Sequence, residues 1–148
     1  MLNFEILPFV PQYAEAVAAL EAACFSEPWS ADGVLESYNM GTVFLVATAG
    51  EKLIGYGGVQ MVADEGYITN IAVDPAWRRQ GVGHALTVAL VELAWQKGLE
   101  FISLEVRQSN LAAQALYQNN GFTLQGRRKN FYRQPTEDAL ILTHFFKE

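Results

Sequence analysis

The sequence predicts an α/β fold in which one mixed sheet is covered by helices. Seven segments have the composition of β-strands and four have the apolar periodicity of helices, in the order β-α-α-β-β-β-α-β-α-β-β. The chain has 148 residues, of which 51% are hydrophobic, so it can bury a core of ordinary size. No repeat or proline-rich linker divides it. We therefore expect residues 1–148 to form a single domain.

The first half of the chain predicts one strand, two helices and three further strands. FEILPF is a short opening strand, and Pro11–Phe25 is a helix with proline in its first turn. Ser30 suits the N-cap of a second helix over Ala31–Asn39. The β-rich runs TVFLVAT and KLIGYGGVQMV are separated by the turn AGE, and EGYITNIAV is the next strand.

The second half predicts two helices that alternate with strands. The helix that follows the glycines has apolar residues at Val82, Leu86, Ala89, Leu90 and Leu93. FISLEV is a strand on which Glu105 points to the face opposite Leu104 and Val106. LAAQALYQNN is a helix that Gly121 ends, and TLQGRRKNFY and DALILTHFF complete the sheet. In this helix we expect Tyr117 to lie nearly opposite a core-facing stripe of Leu111, Ala112, Ala115 and Leu116.

The composition excludes several classes of function. With 10 basic and 16 acidic residues the net charge is −6, which argues against nucleic-acid binding and suits a cationic partner. RRKNFYR mixes basic and aromatic residues, which can bind RNA, but in an acidic chain we interpret it as a β-segment with one basic face. The one cysteine, Cys24, excludes a disulfide framework, and we expect it to be a small buried apolar residue. His84 and His144 lack ligand-type neighbours, so no metal is predicted.

The apolar segments predict a cytoplasmic protein. MLNFEILPFV lacks the basic region and cleavage site of a signal peptide. No apolar run reaches the roughly 18 residues of a membrane helix, so no membrane partner is expected. The sequence does not indicate an oligomeric state, and a monomer is the default expectation.

The stretch DPAWRRQGVG, residues 74–83, joins a predicted strand to a predicted helix. It fits neither common phosphate motif, because the dinucleotide fingerprint and the P-loop both require glycine where this chain has Leu86. Glycine in the first turn of a helix still lets a ligand approach the backbone, where free N–H groups and the helix dipole favour an anion. The stretch indicates either an anion site or a glycine-rich helix start without a ligand.

Three polar residues that follow this helix indicate a second part of a binding or catalytic site. Asn110 precedes Tyr117 by seven residues, so on a helix their side chains point within roughly 20° of each other. Each residue also has a purely structural explanation, with Glu105 a solvated carboxylate, Asn110 an N-cap and Tyr117 packed under a loop. Their combination favours a site over these explanations.

Two motifs resemble those of a known family. RRQGVG resembles the (Arg/Gln)-x-x-Gly-x-(Gly/Ala) motif of the GNAT (GCN5-related N-acetyltransferase) family, and LEVRQSNLAAQALYQNNGF is similar to a segment of its RimI branch. CFSEPWS and RRKNFYRQPTEDALIL extend the likeness over nearly the whole chain, although Thr136, between Tyr132 and Glu137, stands where arginine is common. The resemblance implies the GNAT fold, a single mixed, mostly antiparallel sheet of about seven strands flanked by about four helices. Its splayed central strands admit acetyl-coenzyme A (acetyl-CoA).

The resemblance also implies a role for each site residue. The RimI branch acetylates the N-terminal alanine of a small-subunit ribosomal protein, so we expect acetyl transfer from acetyl-CoA to a basic protein N-terminus. Glu105 would be the base, and Tyr117 the acid that protonates the coenzyme A sulfur. The cosubstrate would be bound by Ile71, Ala72, Val73, Arg78, Arg79, Gly81, Val82, Gly83, His84 and Asn110. The acceptor would contact Phe25, Glu27, Trp29 and Tyr132, of which the first and third could equally be core residues.

An α-amine suits this chemistry because the attacking amine must be neutral. An α-amine with a pKa of about 7.7–8.0 is roughly a tenth to a fifth neutral at pH 7, whereas a lysine is neutral less than about 0.1% of the time. A basic peptide would be attracted by acidic residues near the acceptor entrance, Asp64, Glu65, Glu137 and Asp138. Two alternatives remain, a small-molecule amine acetyltransferase and a non-catalytic coenzyme A-binding module. The pair Glu105 and Tyr117 argues against the second.

Overall fold

The computed structural model describes residues 3–146 and confirms the predicted order of elements. The strands are β1 (Glu5–Pro8), β2 (Val43–Ala49), β3 (Lys52–Val62), β4 (Glu65–Val73), β5 (Phe101–Arg107), β6 (Thr123–Tyr132) and β7 (Glu137–Phe145). The helices are α1 (Ala14–Cys24), α2 (Ala31–Asn39), α3 (Val82–Gln96) and α4 (Leu111–Asn119). Short 3₁₀ turns at Pro11–Tyr13 and Pro75–Trp77 precede α1 and α3. Within the described range, no helix is long and apolar enough to cross a membrane.

The seven strands form one sheet in the order β1-β2-β3-β4-β5-β7-β6. All neighbouring pairs are antiparallel except β4 and β5, which are parallel. This parallel pair is in register only from Glu65 to Tyr67 on β4, opposite Phe101 to Ser103 on β5. Beyond Tyr67 the two strands separate toward their carboxyl ends. The predicted splay of the central strands is therefore confirmed.

A β-bulge lies in β4 where the separation begins. Gly57 pairs with Ile71 and Val59 pairs with Ile68, so Thr69 and Asn70 together lie opposite the single residue Gly58. An extra residue of this kind breaks the strict alternation of side chains. Both side chains consequently point to the face of the sheet that α1 covers. The Asn70 amide bonds to a side chain of α1, and a Cβ added at Gly58 would lie 2.7 Å from the Thr69 hydroxyl.

The core lies on both faces of the sheet. On one face α1 and α2 bury side chains that include Val17, Val34, Phe44 and Tyr56. On the other face α3 packs through Leu86 and Leu90, whose burial excludes a large apolar area from water. The Ser30 hydroxyl accepts a hydrogen bond of 3.0 Å from the Gly33 N–H, which confirms the predicted N-cap of α2.

The predicted orientation of α4 is wrong. Leu111 is 71% exposed, and Ala112 and Ala115 are also exposed, whereas Tyr117 is only 8% exposed. The Tyr117 ring packs against Phe122 with ring centroids 5.8 Å apart. Burial of one aromatic ring excludes more apolar surface from water than burial of two alanine methyl groups. The helix is therefore rotated so that Tyr117 faces the sheet, while of the four stripe residues only Leu116 packs, partly buried, against the core.

Candidate active site

A pocket of 530 Å³ lies where β4 and β5 separate. Its walls come from the bulge of β4, the outer half of β5, the connection after α1, the start of α4 and the end of β6. The pocket brings together seven of the residues that the sequence predicted for the site: Phe25, Glu27, Ile71, Glu105, Asn110, Tyr117 and Tyr132. The splay thus gathers side chains from five separate segments of the chain.

Glu105 lines the pocket with a carboxylate that makes no hydrogen bond within the described residues. It lies on β5 between the buried residues Leu104 and Val106, as the alternation predicted, and its side chain is 31% exposed. The Arg128 Nε lies 3.3 Å from Glu105 Oε2, but the pair does not have hydrogen-bond geometry. Within the described residues this buried oxygen has no hydrogen-bond partner. A polar atom in that state is costly unless a ligand or water completes it.

Tyr117 contributes a buried phenol to the same pocket. Its hydroxyl makes no hydrogen bond to another residue in the range 3–146, although its ring belongs to the core. Burial raises the pKa of Tyr117 well above its ordinary value, and the neighbouring Tyr132 adds to the shift. The phenol therefore stays protonated at neutral and moderately alkaline pH. Asn110 caps α4, where its Oδ1 accepts from the Ala113 N–H at 3.1 Å, and it also lines the pocket.

Arg107 holds Tyr132 at the edge of the pocket. The guanidinium carbon lies 4.4 Å from the centroid of the Tyr132 ring, and its nitrogens donate to the carbonyls of Arg133 and Pro135 at 3.0 Å. Glu137 forms an ion pair with Arg107, with 3.2 Å between Oε1 and Nη1. Burial raises the pKa of Tyr132 to about 12; the charge of the nearby Glu105 also raises it, while Arg107 opposes the shift. The sequence did not single out Arg107 for the site, although its place two residues after Glu105 was a signal for it.

The N-terminus of α3 has backbone donors but no capping side chain. Gly81 stands at the N-cap with φ +88°, a left-handed conformation that favours glycine, and a Cβ there would meet nothing within 4 Å. The N–H groups of residues 81–84 donate to no protein acceptor in the described chain. By contrast α2 and α4 are capped by Ser30 and Asn110. The free N–H groups and the dipole of an uncapped helix start favour a nearby anion.

Several predicted cosubstrate residues lie around this helix start, outside the pocket. Arg79 and His84 are exposed, whereas Ala72 and Val82 are buried in the core. Val73 ends β4, on the edge that β5 leaves unpaired. Gly83 lies in the first turn of α3, next to Leu116 of α4.

Arg78 and Cys24 lie near each other beside β4. The Arg78 guanidinium approaches the Cys24 sulfur at 3.6 Å, and its Nε lies 3.4 Å from the Val73 carbonyl. Cys24 is half-buried and lines the pocket, so the expectation of a small buried core residue is wrong. The reason is its position at the end of α1, where the chain turns away from the sheet.

Two further groups of predicted residues lie away from the pocket. Trp29 packs edge-on against Phe44 and lines a second cavity, of 650 Å³, beside α2. None of the four acidic residues expected near the acceptor entrance lines the pocket between β4 and β5, and two of them, Glu137 and Asp138, are paired with Arg107 and Arg127. Among the described residues, no three His, Cys, Asp or Glu side chains lie close enough to hold a metal ion.

Three residues that the sequence did not single out also stand at the site. Thr69 and Asn70 line the pocket from the bulge, and the Thr69 hydroxyl is buried without a partner among the described residues. Glu21 lies directly behind Asn70 and bonds to it. No sequence signal marked them, because a bulge interrupts the periodicity on which such assignments rest.

Similarity to known proteins shows which family the chain belongs to. The acetyltransferase (GNAT) family matches residues 14–122. The chain belongs to this GNAT acetyltransferase family. Its membership confirms the predicted class of enzyme, an acetyl-CoA-dependent acetyltransferase, and the GNAT fold. A Salmonella typhimurium acetyltransferase solved with acetyl-CoA shares this fold, with a TM-score of 0.85 at 17% identity over 99% of this chain and 96% of that one.

Relatives of this GNAT protein confirm the predicted resemblance within the family. The ribosomal protein bS18-alanine N-acetyltransferase of Escherichia coli (strain K12) is 36% identical over 127 residues, which span 83% of this chain and 84% of that one. A Bacillus subtilis (strain 168) protein, provisionally named for the same activity, is 41% identical over 128 residues, 85% of each chain. The crystal structure of the Escherichia coli ribosomal-protein-S18-alanine N-acetyltransferase superposes with a TM-score of 0.91 at 31% identity, covering 99% of this chain and 96% of that one.

Proposed function

We propose that this protein transfers an acetyl group from acetyl-CoA to the N-terminal α-amine of a protein, the N-terminal alanine of ribosomal protein bS18. One observation carries the proposal. The Glu105 carboxylate, which has a buried oxygen without a hydrogen bond, and the protonated Tyr117 phenol line the same pocket between separated strands. Relatives named for this activity match most of the chain and support the choice of acceptor.

The residues at the start of α3 fit the anionic end of acetyl-CoA. Its diphosphate would accept from the free N–H groups of residues 81–84, with Arg78 and Arg79 nearby, because an uncapped helix start favours negative charge. Its extended arm would bond to the edge of β4 at residues 71–73, which β5 leaves unpaired. Asn110 would bind the cosubstrate at the start of α4. The bound cosubstrate supplies the acetyl thioester that the amine attacks.

Glu105 and Tyr117 each carry out one of the two proton transfers of the reaction. Glu105 takes a proton from the attacking amine, directly or through water, since its carboxylate lines the pocket and makes no hydrogen bond within the described residues. Tyr117 donates its proton to the departing thiolate, and it holds that proton because burial raises its pKa. Each positioned transfer is worth about 10²- to 10⁴-fold in rate. An α-amine is partly neutral at pH 7, so this base is sufficient.

The acceptor would enter from the side of the connection after α1. Phe25 and Glu27 line the pocket from that connection, and Tyr132 lines it from the end of β6. The Glu27 carboxylate is placed to attract the positive charge of an incoming basic peptide. Trp29 would act behind this wall, through its packing on Phe44.

The direct test is acetylation of peptides by the purified protein. The matched substrates are an alanine-initiated peptide with the N-terminal sequence of bS18, the same peptide with a blocked α-amine and an internal lysine, and a polyamine. We expect mass spectrometry to find one acetyl group on the α-amine of the first peptide only. Preferred transfer to the polyamine would select the small-molecule alternative. Tight binding of acetyl-CoA without transfer to any amine would select the non-catalytic module.

A further inference from the structure

Glu21 of α1 is a buried carboxylate that the proposed chemistry does not use. It is 0% exposed. Its Oε1 accepts from the Trp29 N–H at 2.9 Å, and its Oε2 accepts from the Asn70 amide at 2.9 Å and from the Tyr56 hydroxyl. Among the described residues no lysine, arginine or histidine pairs with it. A carboxylate buried without a cation is costly and is tolerated only with several donors, so its position calls for an explanation.

The three donors belong to three different elements that meet at the pocket. Trp29 lies in the α1–α2 connection, residues 25–30, which supplies Phe25, Ser26 and Glu27 to the pocket. Asn70 lies in the β4 bulge, which supplies the wall beside Glu105. Tyr56 lies in β3 and does not line the pocket; burial and the adjacent carboxylate raise its pKa, so it remains a donor. A single carboxylate therefore joins the acceptor side of the pocket to the sheet.

The α1–α2 connection depends on this bond for its position. It contains neither helix nor strand. Within residues 3–146, the only hydrogen bond made by the backbone of residues 26–29 is the one from the Trp29 N–H to Glu21. The Trp29 N–H of the connection and the Asn70 amide of the bulge donate to different oxygens of the Glu21 carboxylate. The carboxylate therefore fixes the distance between the connection and the bulge.

We propose that Glu21 is a positioning residue that sets the acceptor wall of the pocket by joining the α1–α2 connection to the β4 bulge. This inference rests on the proposed function, because it assigns that wall to the acceptor peptide. The cosubstrate side is not part of this link, since within the described residues neither the start of α3 nor residues 71–73 form a hydrogen bond with the carboxylate. Loss of Glu21 should therefore weaken binding of the acceptor peptide and leave the binding of acetyl-CoA unchanged.

The test compares Glu21→Gln with Tyr56→Phe in steady-state kinetics with the alanine-initiated peptide. Glutamine offers one acceptor oxygen instead of two, so it cannot accept from both Trp29 and Asn70. We expect Glu21→Gln to raise the peptide KM about tenfold, with the acetyl-CoA KM and kcat changed by less than about threefold. Tyr56→Phe removes a donor from the same carboxylate without touching either wall, and both KM values should stay within about threefold of wild type.

A folded Glu21→Gln protein with a wild-type peptide KM would overturn the proposal, as would an equal rise in both KM values, which a general structural role would produce. If Glu21→Gln does not fold, Asn70→Ala decides, because it frees the bulge while the bond to Trp29 remains. An unchanged peptide KM in Asn70→Ala would be equally decisive against the proposal.

Hydrogen exchange separates this inference from the proposed function. In Glu21→Gln the one remaining acceptor oxygen serves the two donors Asn70 and Tyr56, and the new NH₂ group faces the Trp29 N–H. We therefore expect the Trp29 amide to exchange at least about tenfold faster in Glu21→Gln, and at the wild-type rate in Tyr56→Phe, with α3 unchanged in both. If the wild-type protein acetylates no peptide, the proposed function is refuted. The exchange rate of the Trp29 amide would still test whether Glu21 holds the α1–α2 connection in place. Slow exchange of the Trp29 amide in Glu21→Gln would show that the link does not exist.

Discussion

Replacement of Tyr117 by phenylalanine tests the centre of the proposed mechanism with a minimal change. The substitution removes one hydroxyl, which makes no hydrogen bond to another residue in the described chain, and it keeps the ring that packs on Phe122 at 5.8 Å. No partner is left unsatisfied, so we expect the free energy of unfolding to change by less than about 1 kcal/mol. In a chain of this length that corresponds to a Tm shift within about 4 °C.

The expected kinetic effect is large by comparison. A positioned proton transfer is worth at least about 10²-fold, so kcat should fall by about 10² or more, which is about 2.7 kcal/mol of transition-state stabilisation. The affinity for acetyl-CoA should be unchanged, because the diphosphate and the extended arm bind elsewhere, at the start of α3 and the edge of β4. A loss confined to kcat is what a group that acts only in the transition state would produce.

The assay is single-turnover acetylation of the peptide at saturating acetyl-CoA, so that product release does not mask the chemical step. Tyr132→Phe is the matched control: it removes a second phenol from the same pocket, and we expect it to change the peptide KM more than kcat. Wild-type turnover in a folded Tyr117→Phe protein would remove this residue from the mechanism. An equal loss in both variants would mean that neither phenol is the specific acid.

Three further predictions concern the base, the pH dependence and the anion site. Glu105→Gln should lower kcat and shift the pH profile of kcat; a kcat profile with the wild-type shape would show that the carboxylate is not the base. Because burial raises the pKa of Tyr117, the wild-type kcat/KM should rise through the pKa of the peptide amine, about 7.7–8.0, with no fall before about pH 10; a fall near neutrality that Tyr117→Phe abolishes would contradict this. Gly81→Ala, at φ +88°, should raise the Kd of acetyl-CoA in calorimetry by about fivefold, because a left-handed residue with a Cβ costs about 1–2 kcal/mol and distorts the helix start. Gly50→Ala, at φ +62° in the β2–β3 turn, should destabilise the protein similarly and leave that Kd unchanged.

The sequence alone determined the features that depend on neighbouring residues. The bounds of α2, β3, β4 and β5 follow from caps, turns and side-chain alternation, all of which act over a few positions. The start of α3 as an uncapped glycine turn could be predicted for the same reason. The alternation on β5 also placed Glu105 on the face opposite Leu104 and Val106.

Only the tertiary structure decided the features that depend on contacts between distant segments. The face that α4 buries is set by which side meets the sheet, so Tyr117 replaced the aliphatic stripe in the core. Trp29 was separated from the pocket by its packing on Phe44, although it lies close in sequence to Phe25 and Glu27. The bond between Glu21 and Asn70 joins residues 49 positions apart, through a bulge that local periodicity cannot reveal. Such pairings depend on the register of strands and the docking of helices, which no window of the sequence contains.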